Sequence, residues 1–359
     1  MGIVTTSFFQ TGQGDDGINS FATTRELIEF VSSQKLTTSS KQEVSLEFQL
    51  GTDSFRLTLS GSFNSSSSGD LLSTFLSGNQ DSLITKRSTF RNGSLWQEET
   101  FQESKKISDL FNPDMSKVYS GDDTFNGSLL VKDYANGYSG NDTMSGFGAT
   151  PRNLDVFFGG DGIDTAIFPS KAADYLVRAS NSVYDPVRNK SDLQGHNIIN
   201  QSNPSYGKAD LYQVERIRFS DSSLALDVAG NAGKAYRVYK AAFARDPMSG
   251  DKAGLGYWIA QIDQGMDMVE VAARFIDSPE FRGLYGQNPS NADFLTKVYT
   301  NVLGRTPDQG GYNWWLNELN INPSKTKAKV LADFAESQEN KDSVATLIGN
   351  GIQYTEFWG

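Results

Sequence analysis

Gly159-Gly160-Asp161-Gly162-Ile163-Asp164-Thr165-Ala166-Ile167 is the stretch that decides how this chain is read. Its glycines, its second aspartate and its alanine stand at the fixed places of the pattern G-G-x-G-x-D-x-U-x. Partial copies lie on the N-terminal side. Residues Gly137 to Ser145 keep Gly140, Asp142 and Met144, and the stretch around Ser120 keeps Gly121, Asp123 and Phe125. A weaker copy places Asp155 and Phe157 nine residues before Asp164 and Ala166, and an isolated one has Gly12, Gly14, Asp16 and Ile18. A single Gly-Asp cluster reads as an ordinary turn, because these residues dominate turns. Five copies with the apolar residue in phase read as a repeat. Glycine turns the chain tightly and bares its carbonyls, aspartate adds a hard anionic oxygen, and the apolar residue points inward from a short strand. Oxygens of this kind suit a hard divalent cation, calcium above all.

The totals agree with a folded protein that is not built for polyanions. The chain has 359 residues, enough for two or three cores, and 37% of them are hydrophobic. Its 43 acidic residues against 32 basic ones leave a net charge of −11, so nucleic acid and anionic lipid are poor partners. Cysteine is absent, which excludes disulfides and thiolate metal sites. No basic start followed by an apolar run marks the first thirty residues, so no cleaved secretory signal is read there. No stretch approaches the length of a membrane span.

Working outward from the repeats, residues 1–115 read as a mainly β domain. Thr23 and Glu26 make a capping box ahead of Leu27, Ile28 and Val31, which predicts one short helix. Val44, Leu46, Phe48 and Leu50 alternate with polar residues, and Phe55, Leu57 and Leu59 repeat the alternation after Gly51-Thr52-Asp53, which predicts a hairpin. A second hairpin is expected around Asn92-Gly93, between 84–90 and 95–101. The whole reads as a small sandwich or a sheet covered by the helix.

Residues 231–359 read as all-helical. Asp267 with Glu270 is a capping box, Ser278-Pro279-Glu280 is a helix start, and Ser290 or Asn291 opens another helix. This part repeats itself at an offset near sixty residues. Val238-Tyr239, Phe243, Arg245 and Pro247 match Val298-Tyr299, Leu303, Arg305 and Pro307, while Phe275, Ser278 and Glu280 match Phe334, Ser337 and Glu339.

The nonapeptides resemble the RTX (repeats-in-toxin) calcium-binding family. That resemblance implies a parallel β-roll over 116–230, with calcium held between stacked loops on alternate sides. It implies calcium ligation by Asp123, Asp142, Asp155 and Asp164, and by Asp16, with Gly121, Gly140, Gly160, Asp161 and Gly162 in the liganding turns. Val118-Tyr119 and Tyr138 stand where glycines are usual, and Ala149-Thr150-Pro151-Arg152-Asn153 interrupts a turn, so fewer ions than repeats are expected. The run from Val214 to Asp221, followed by Leu224-Ala225-Leu226-Asp227, resembles the strand pair that closes such rolls. Residues 230–359 resemble an uncharacterised helical family that ends calcium-repeat proteins exported by type I systems, which implies an uncleaved C-terminal export signal and the type I secretion apparatus as a partner.

The expected fold is thus multidomain α+β: a β-rich N-terminal domain, a central calcium β-roll and a C-terminal helical repeat domain. Catalysis finds little support. The only histidine, His196, sits in the polar stretch 192–197 and reads as a solvated loop residue, with no G-x-S-x-G nearby. The expected function is a secreted, non-enzymatic, calcium-dependent structural protein that assembles with itself into a surface layer on the cell exterior. The alternative is a monomeric adhesin that binds cell-surface glycan through exposed aromatics such as Trp96 or Trp314-Trp315.

Overall fold

A computed structural model describes residues 35–39, 43–50, 53–62, 83–91, 94–106, 121–126, 134–147, 154–185, 190–202 and 208–357. The protein is mixed α/β, with a β-rich middle and a helical C-terminal region, and it divides into two compact units, Met1–Asp221 and Ser222–Gly359.

In the first unit the alternation read at 43–59 becomes strands β2 (Glu43–Leu50) and β3 (Asp53–Ser62), paired antiparallel from Glu43↔Ser60 to Leu50↔Asp53. Strand β1 (Lys35–Ser39) flanks β2. The second hairpin is β4 (Leu83–Arg91) with β5 (Ser94–Lys106), closing on Arg91↔Ser94 at the Asn-Gly turn. The helix expected from Thr23 and Glu26 lies outside the described residues, as does Asp16 with its glycines. The antiparallel sheet does not end at 115 as a sandwich of its own would. Its last strand pairs antiparallel with β6 (Asp123–Asn126), Phe101 opposite Asp123, so the sheet runs on into the repeats.

From β6 onward the pairing turns parallel and the strands alternate between two sheets. One sheet continues through β8 (Thr143–Ser145), β10 (Thr165–Ile167) and β14 (Arg216–Arg218). The other holds β7 (Tyr134–Ser139), β9 (Leu154–Asp161) and β13 (Lys208–Tyr212), also parallel. In-phase apolar residues stack along each sheet. Phe125, Met144, Ala166 and Ile217 are successive partners in the first, and Ala135, Phe157 and Leu211 in the second, all buried. The Phe125 and Phe157 rings lie 6.3 Å apart, so the two columns face each other. Burying each large side chain of this kind is worth about 1.5–3 kcal/mol, which makes the apolar position of the repeat the core of the unit.

Between β10 and β13 the chain leaves the repeat as an antiparallel hairpin, β11 (Tyr175–Asp185) with β12 (Lys190–Asn200), which returns through β12 pairing with β13. His196 lies in β12, opposite Ala179 and Leu211, and is not a loop residue. Pairing on both sides overrides the polar character of 192–197, and a half-strand of mixed polarity carries little alternation to read.

The second unit starts with β15 (Ser223–Ala225) and then helices. The first copy consists of α1 (Asn231–Phe243), α2 (Pro247–Gly250), α3 (Lys252–Asp263), α4 (Met268–Ile276) and α5 (Pro279–Tyr285). The second consists of α6 (Asn291–Leu303), α7 (Gln309–Ile321), α8 (Lys327–Ala335) and α9 (Gln338–Ile348). The caps fall where the sequence puts them: Asp267 accepts from the Val269 and Glu270 N–H groups, Ser278 from Phe281, and Ser290 from Asp293. Strand β16 (Ile352–Tyr354) then pairs antiparallel with β15, Ser223 opposite Tyr354.

The internal repeat extends to side-chain geometry. Arg245 binds Glu280 at 2.7 Å and lies 5.0 Å from the Tyr239 ring; Arg305 binds Glu339 at 2.6 Å and lies 5.2 Å from the Tyr299 ring. Tyr239 meets Phe275 edge-on at 5.4 Å, and Tyr299 meets Phe334 at 5.0 Å. Asp251 and Asp308 cap α3 and α7 by accepting from Gly254 and Gly311. No helix among the described residues is long and apolar enough to cross a membrane.

Candidate metal centre

The repeat aspartates form a ladder along one edge of the first unit. Asp123, Asp142 and Asp164 are at most 2% exposed. The Asp123 N–H donates to Asp142 Oδ1 at 2.7 Å, and the Asp142 N–H donates to Asp164 Oδ1 at 2.8 Å. The Asp164 N–H donates in turn to Glu215 Oε2 at 3.0 Å, so a glutamate outside the repeat ends the row. A second row runs beside it: the Asn141 N–H donates to Asp122 Oδ1 at 2.6 Å, and the Ile163 N–H to Asn141 Oδ1 at 2.8 Å. Each rung spans one circuit through both sheets, 19 and then 22 residues, so the turns of Asp123, Asp142 and Asp164 share one edge. A second strand and its connections separate each copy from the next, which is why the edge recurs only once per circuit.

Glycine is required where the turns stack. Gly140, Gly160 and Gly162 have φ of 124°, 112° and 139°, a region that L side chains rarely adopt. A Cβ on Gly140, Gly160 or Gly162 would come within 3.0 Å of the carbonyl oxygen of Gly121, Tyr138 or Gly140 on the preceding turn. Tyr138 holds the second glycine position with φ 64°, a conformation strained for tyrosine. The side chain of Asp161 is exposed, and its carbonyl accepts from the Gly140 N–H at 2.9 Å. Asp155 stands apart from the ladder: it is buried inside β9, opposite Ala209.

Two oxygen pairs converge over bare α-carbons. Above Gly137 lie Asp142 Oδ2 and the Gly159 carbonyl oxygen; above Gly159 lie Asp164 Oδ2 and the Gln213 carbonyl oxygen, each within 3.0 Å of where a Cβ would stand. Asp164 Oδ2 is buried and has no hydrogen-bond partner. Burial pushes the Asp164 carboxyl up to about 8; the neighbouring Glu215, Asp142 and Asp122 push the same way, and the Asp142 N–H opposes them. Ionising a carboxyl this buried and this close to a carbonyl oxygen is costly, and a hard cation bound between them compensates that cost. No group of three or more carboxylate, imidazole or thiolate side chains converges among the described residues, so a cation on this edge would draw on backbone carbonyls as well. The residues fit calcium in that respect, since calcium accepts mixed carboxylate and carbonyl oxygens.

The repeat aspartates and glycines were legible from spacing. Asp122, Asn141, Gln213 and Glu215 were not, because their roles depend on which turn stacks on which.

His196 is half-buried, and burial holds its imidazole below the usual value of 6.5. Its contribution to stability is complete above pH 6.5 and declines as pH falls from there toward the lower folded value, because the unfolded chain takes the proton first. Urea midpoints of the wild type should therefore drop on acidification from about pH 7.5 to 5.5 by more than those of His196→Asn. Equal drops in the two proteins would assign the acid sensitivity elsewhere.

A family profile described as a domain of unknown function (DUF4214) matches residues 272–344, from within α4 to within α9. That segment covers most of the second helical copy and the end of the first. No curated protein and no solved structure matches the chain.

Proposed function

We propose that the chain is a secreted, calcium-dependent structural protein whose central strands form a parallel β-roll and which assembles with itself into a layer, sheet or tube on the cell exterior. The observation that carries this reading is the ladder of buried aspartates, with Asp164 Oδ2 lacking a partner and facing a backbone carbonyl. Asp123, Asp142 and Asp164 are the proposed calcium-bearing carboxylates of the column, in turns containing Gly121, Gly140, Gly160, Asp161 and Gly162. Asp155 and Asp16 remain assigned by the family resemblance alone. The type I secretion apparatus is a proposed partner on the same ground. A non-catalytic role fits a chain whose single histidine lies in a strand with no nucleophile signature beside it.

Calcium at external levels, on the order of 1 mM, adds roughly 0.4–1.4 kcal/mol per site with dissociation constants of about 10⁻⁴–10⁻³ M. Inside a cell, where free calcium is far lower, that contribution vanishes, so the column is proposed to consolidate after export.

Electron microscopy of the purified protein with added calcium tests the reading. Ordered sheets, tubes or filaments that disperse in chelator are the expected result. Monodisperse particles at high protein concentration would count against assembly and favour the second reading, a monomeric glycan-binding module. Trp314 supports that alternative, since it is 53% exposed on α7 and offers a ring for stacking on a sugar.

A further inference from the structure

We propose that the closing turn Gln213-Val214-Glu215, which carries none of the repeat's glycines, builds the last cation site of the column: Asp164 Oδ2 and the Gln213 carbonyl are its protein oxygens, and a hard divalent cation of the calcium class is its ligand. This inference rests on the calcium reading above and extends it to residues that no repeat pattern includes.

Equivalence of position carries it. Strand β9 pairs with β13 through Phe158↔Tyr212, and β10 pairs with β14 through Thr165↔Arg216, so Gln213 follows Tyr212 as Gly159 follows Phe158, and Glu215 precedes β14 as Asp164 precedes β10. The Gln213 carbonyl stands to Asp164 Oδ2 as the Gly159 carbonyl stands to Asp142 Oδ2 one turn earlier, each pair crowding the bare α-carbon of a glycine. Gln213 reaches this position with φ 49°, a left-handed conformation that the closing turn imposes on a residue with a side chain. Its carbonyl also accepts from the Gly160 N–H at 3.3 Å, while Asp164 Oδ2 is buried without a partner. The closing turn drops the glycine loop and keeps both the carbonyl and the carboxylate rung.

The site differs from the inner one in what it joins. Asp164 and Glu215 are 51 residues apart, against 19 and 22 for the inner rungs, because the β11–β12 hairpin intervenes. A cation bound to Asp164 and the Gln213 carbonyl fastens the returning strands β13 and β14 to the repeat that the chain left before the hairpin. Loading this site therefore orders the segment after the excursion.

The experiment uses the full chain, calcium as the probe, isothermal titration for stoichiometry and hydrogen exchange for location. In the wild type, calcium is expected to slow exchange across residues 208–218 by at least tenfold. Gly159→Ala, whose Cβ would enter the Asp164–Gln213 pair, is expected to lose one site and that protection. Gly137→Ala, which fills the inner pair, is expected to lose a different site and keep the protection. Asp164→Asn retains an acceptor for the Asp142 N–H while removing the anionic oxygen, and it is expected to behave as Gly159→Ala does, so a failure of the alanine variant to fold leaves the proposal testable. Gln213→Val, unfavourable at positive φ, is expected to weaken the last site by about tenfold, because a branched side chain resists the left-handed conformation. Loss of a site in Asp164→Asn, with wild-type stoichiometry and protection of 208–218 kept in both Gly159→Ala and Gln213→Val, would overturn the inference while Asp164 kept its place in the calcium reading. Wild-type stoichiometry in Asp164→Asn would overturn the inference and remove Asp164 from that reading as well. A wild type that takes up no calcium would overturn the reading itself.

Discussion

Replacing Glu336 with alanine is expected to destabilise the helical unit by about 3–5 kcal/mol, the cost typical of stranding one partner of a buried ion pair. Arg237 in α1 is 3% exposed, and each nitrogen of its guanidinium is engaged: Nε and Nη2 donate to the two Glu336 oxygens at 2.6 and 3.0 Å, and Nη1 donates to the Val228 carbonyl at 2.9 Å. Glu336 ends α8, so this pair ties the first helix of copy one to the third of copy two across 99 residues. Without the carboxylate, a positive charge remains on a side chain only 3% exposed, facing the Val228 carbonyl. Glu336 is itself 26% exposed and also binds Lys341 at 3.3 Å, so water reaching Arg237 favours the lower end of that range. The duplicated pairs Arg245–Glu280 and Arg305–Glu339 have similar distances but lie open to solvent, and Glu339→Ala should cost no more than about 1 kcal/mol. Urea denaturation followed by helical circular dichroism separates the two cases. A Glu336→Ala midpoint no lower than that of Glu339→Ala would show that the interior pair has no special weight.

The second large effect is expected at Asp142. Its Oδ1 accepts from the buried Asp123 N–H, so Asp142→Ala leaves that donor unsatisfied and costs about 1–3 kcal/mol even in chelator. With millimolar calcium the proposed inner site is lost too, and the gap to wild type should widen by roughly 0.4–1.4 kcal/mol per ion. Asp142→Asn should recover most of the first component, since its amide oxygen can still accept, and little of the second. Paired urea titrations with calcium and with chelator give both numbers. If the gap is the same in the two conditions, the carboxylate acts only as a backbone acceptor and the column loses its inner ion.

How much of this was legible depended on whether a residue's role is local. Helix caps are local, and Asp267, Ser278 and Ser290 act where their spacing placed them. The hairpin at 43–60 is nearly local, because alternation and one short turn fix its register. The offset near sixty in the helical unit was readable because Tyr, Arg and Glu recur together, and the side chains keep the same geometry in both copies. Roles set by stacking were not readable. Asp155 has the nine-residue spacing of a repeat and lies near the start of β9, half a circuit from the edge where Asp164 sits, and spacing alone does not say which edge a residue serves. Glu215 has no repeat around it and still ends the aspartate row, because parallel pairing of β10 with β14 brings it beside the Asp164 N–H. The β11–β12 hairpin was missed for the opposite reason: its residues around His196 are polar enough to pass for a loop, and only neighbours on both sides make them a strand.

The pairing of β15 with β16 bears on how the helical unit would respond to tension. Ser223 and Tyr354 are opposite each other, so the chain enters and leaves this short ladder at the same end. A force drawn between residues 222 and 355 would act on the rungs in succession, unzipping Ser223 from Tyr354, then Leu224 from Gln353, then Ala225 from Ile352. Strands loaded in that direction yield at lower force than strands sheared lengthwise, since each bond breaks alone. If the chain assembles as proposed, this clasp would be the compliant link of a stressed layer, lengthening before the helices behind it surrender their packing.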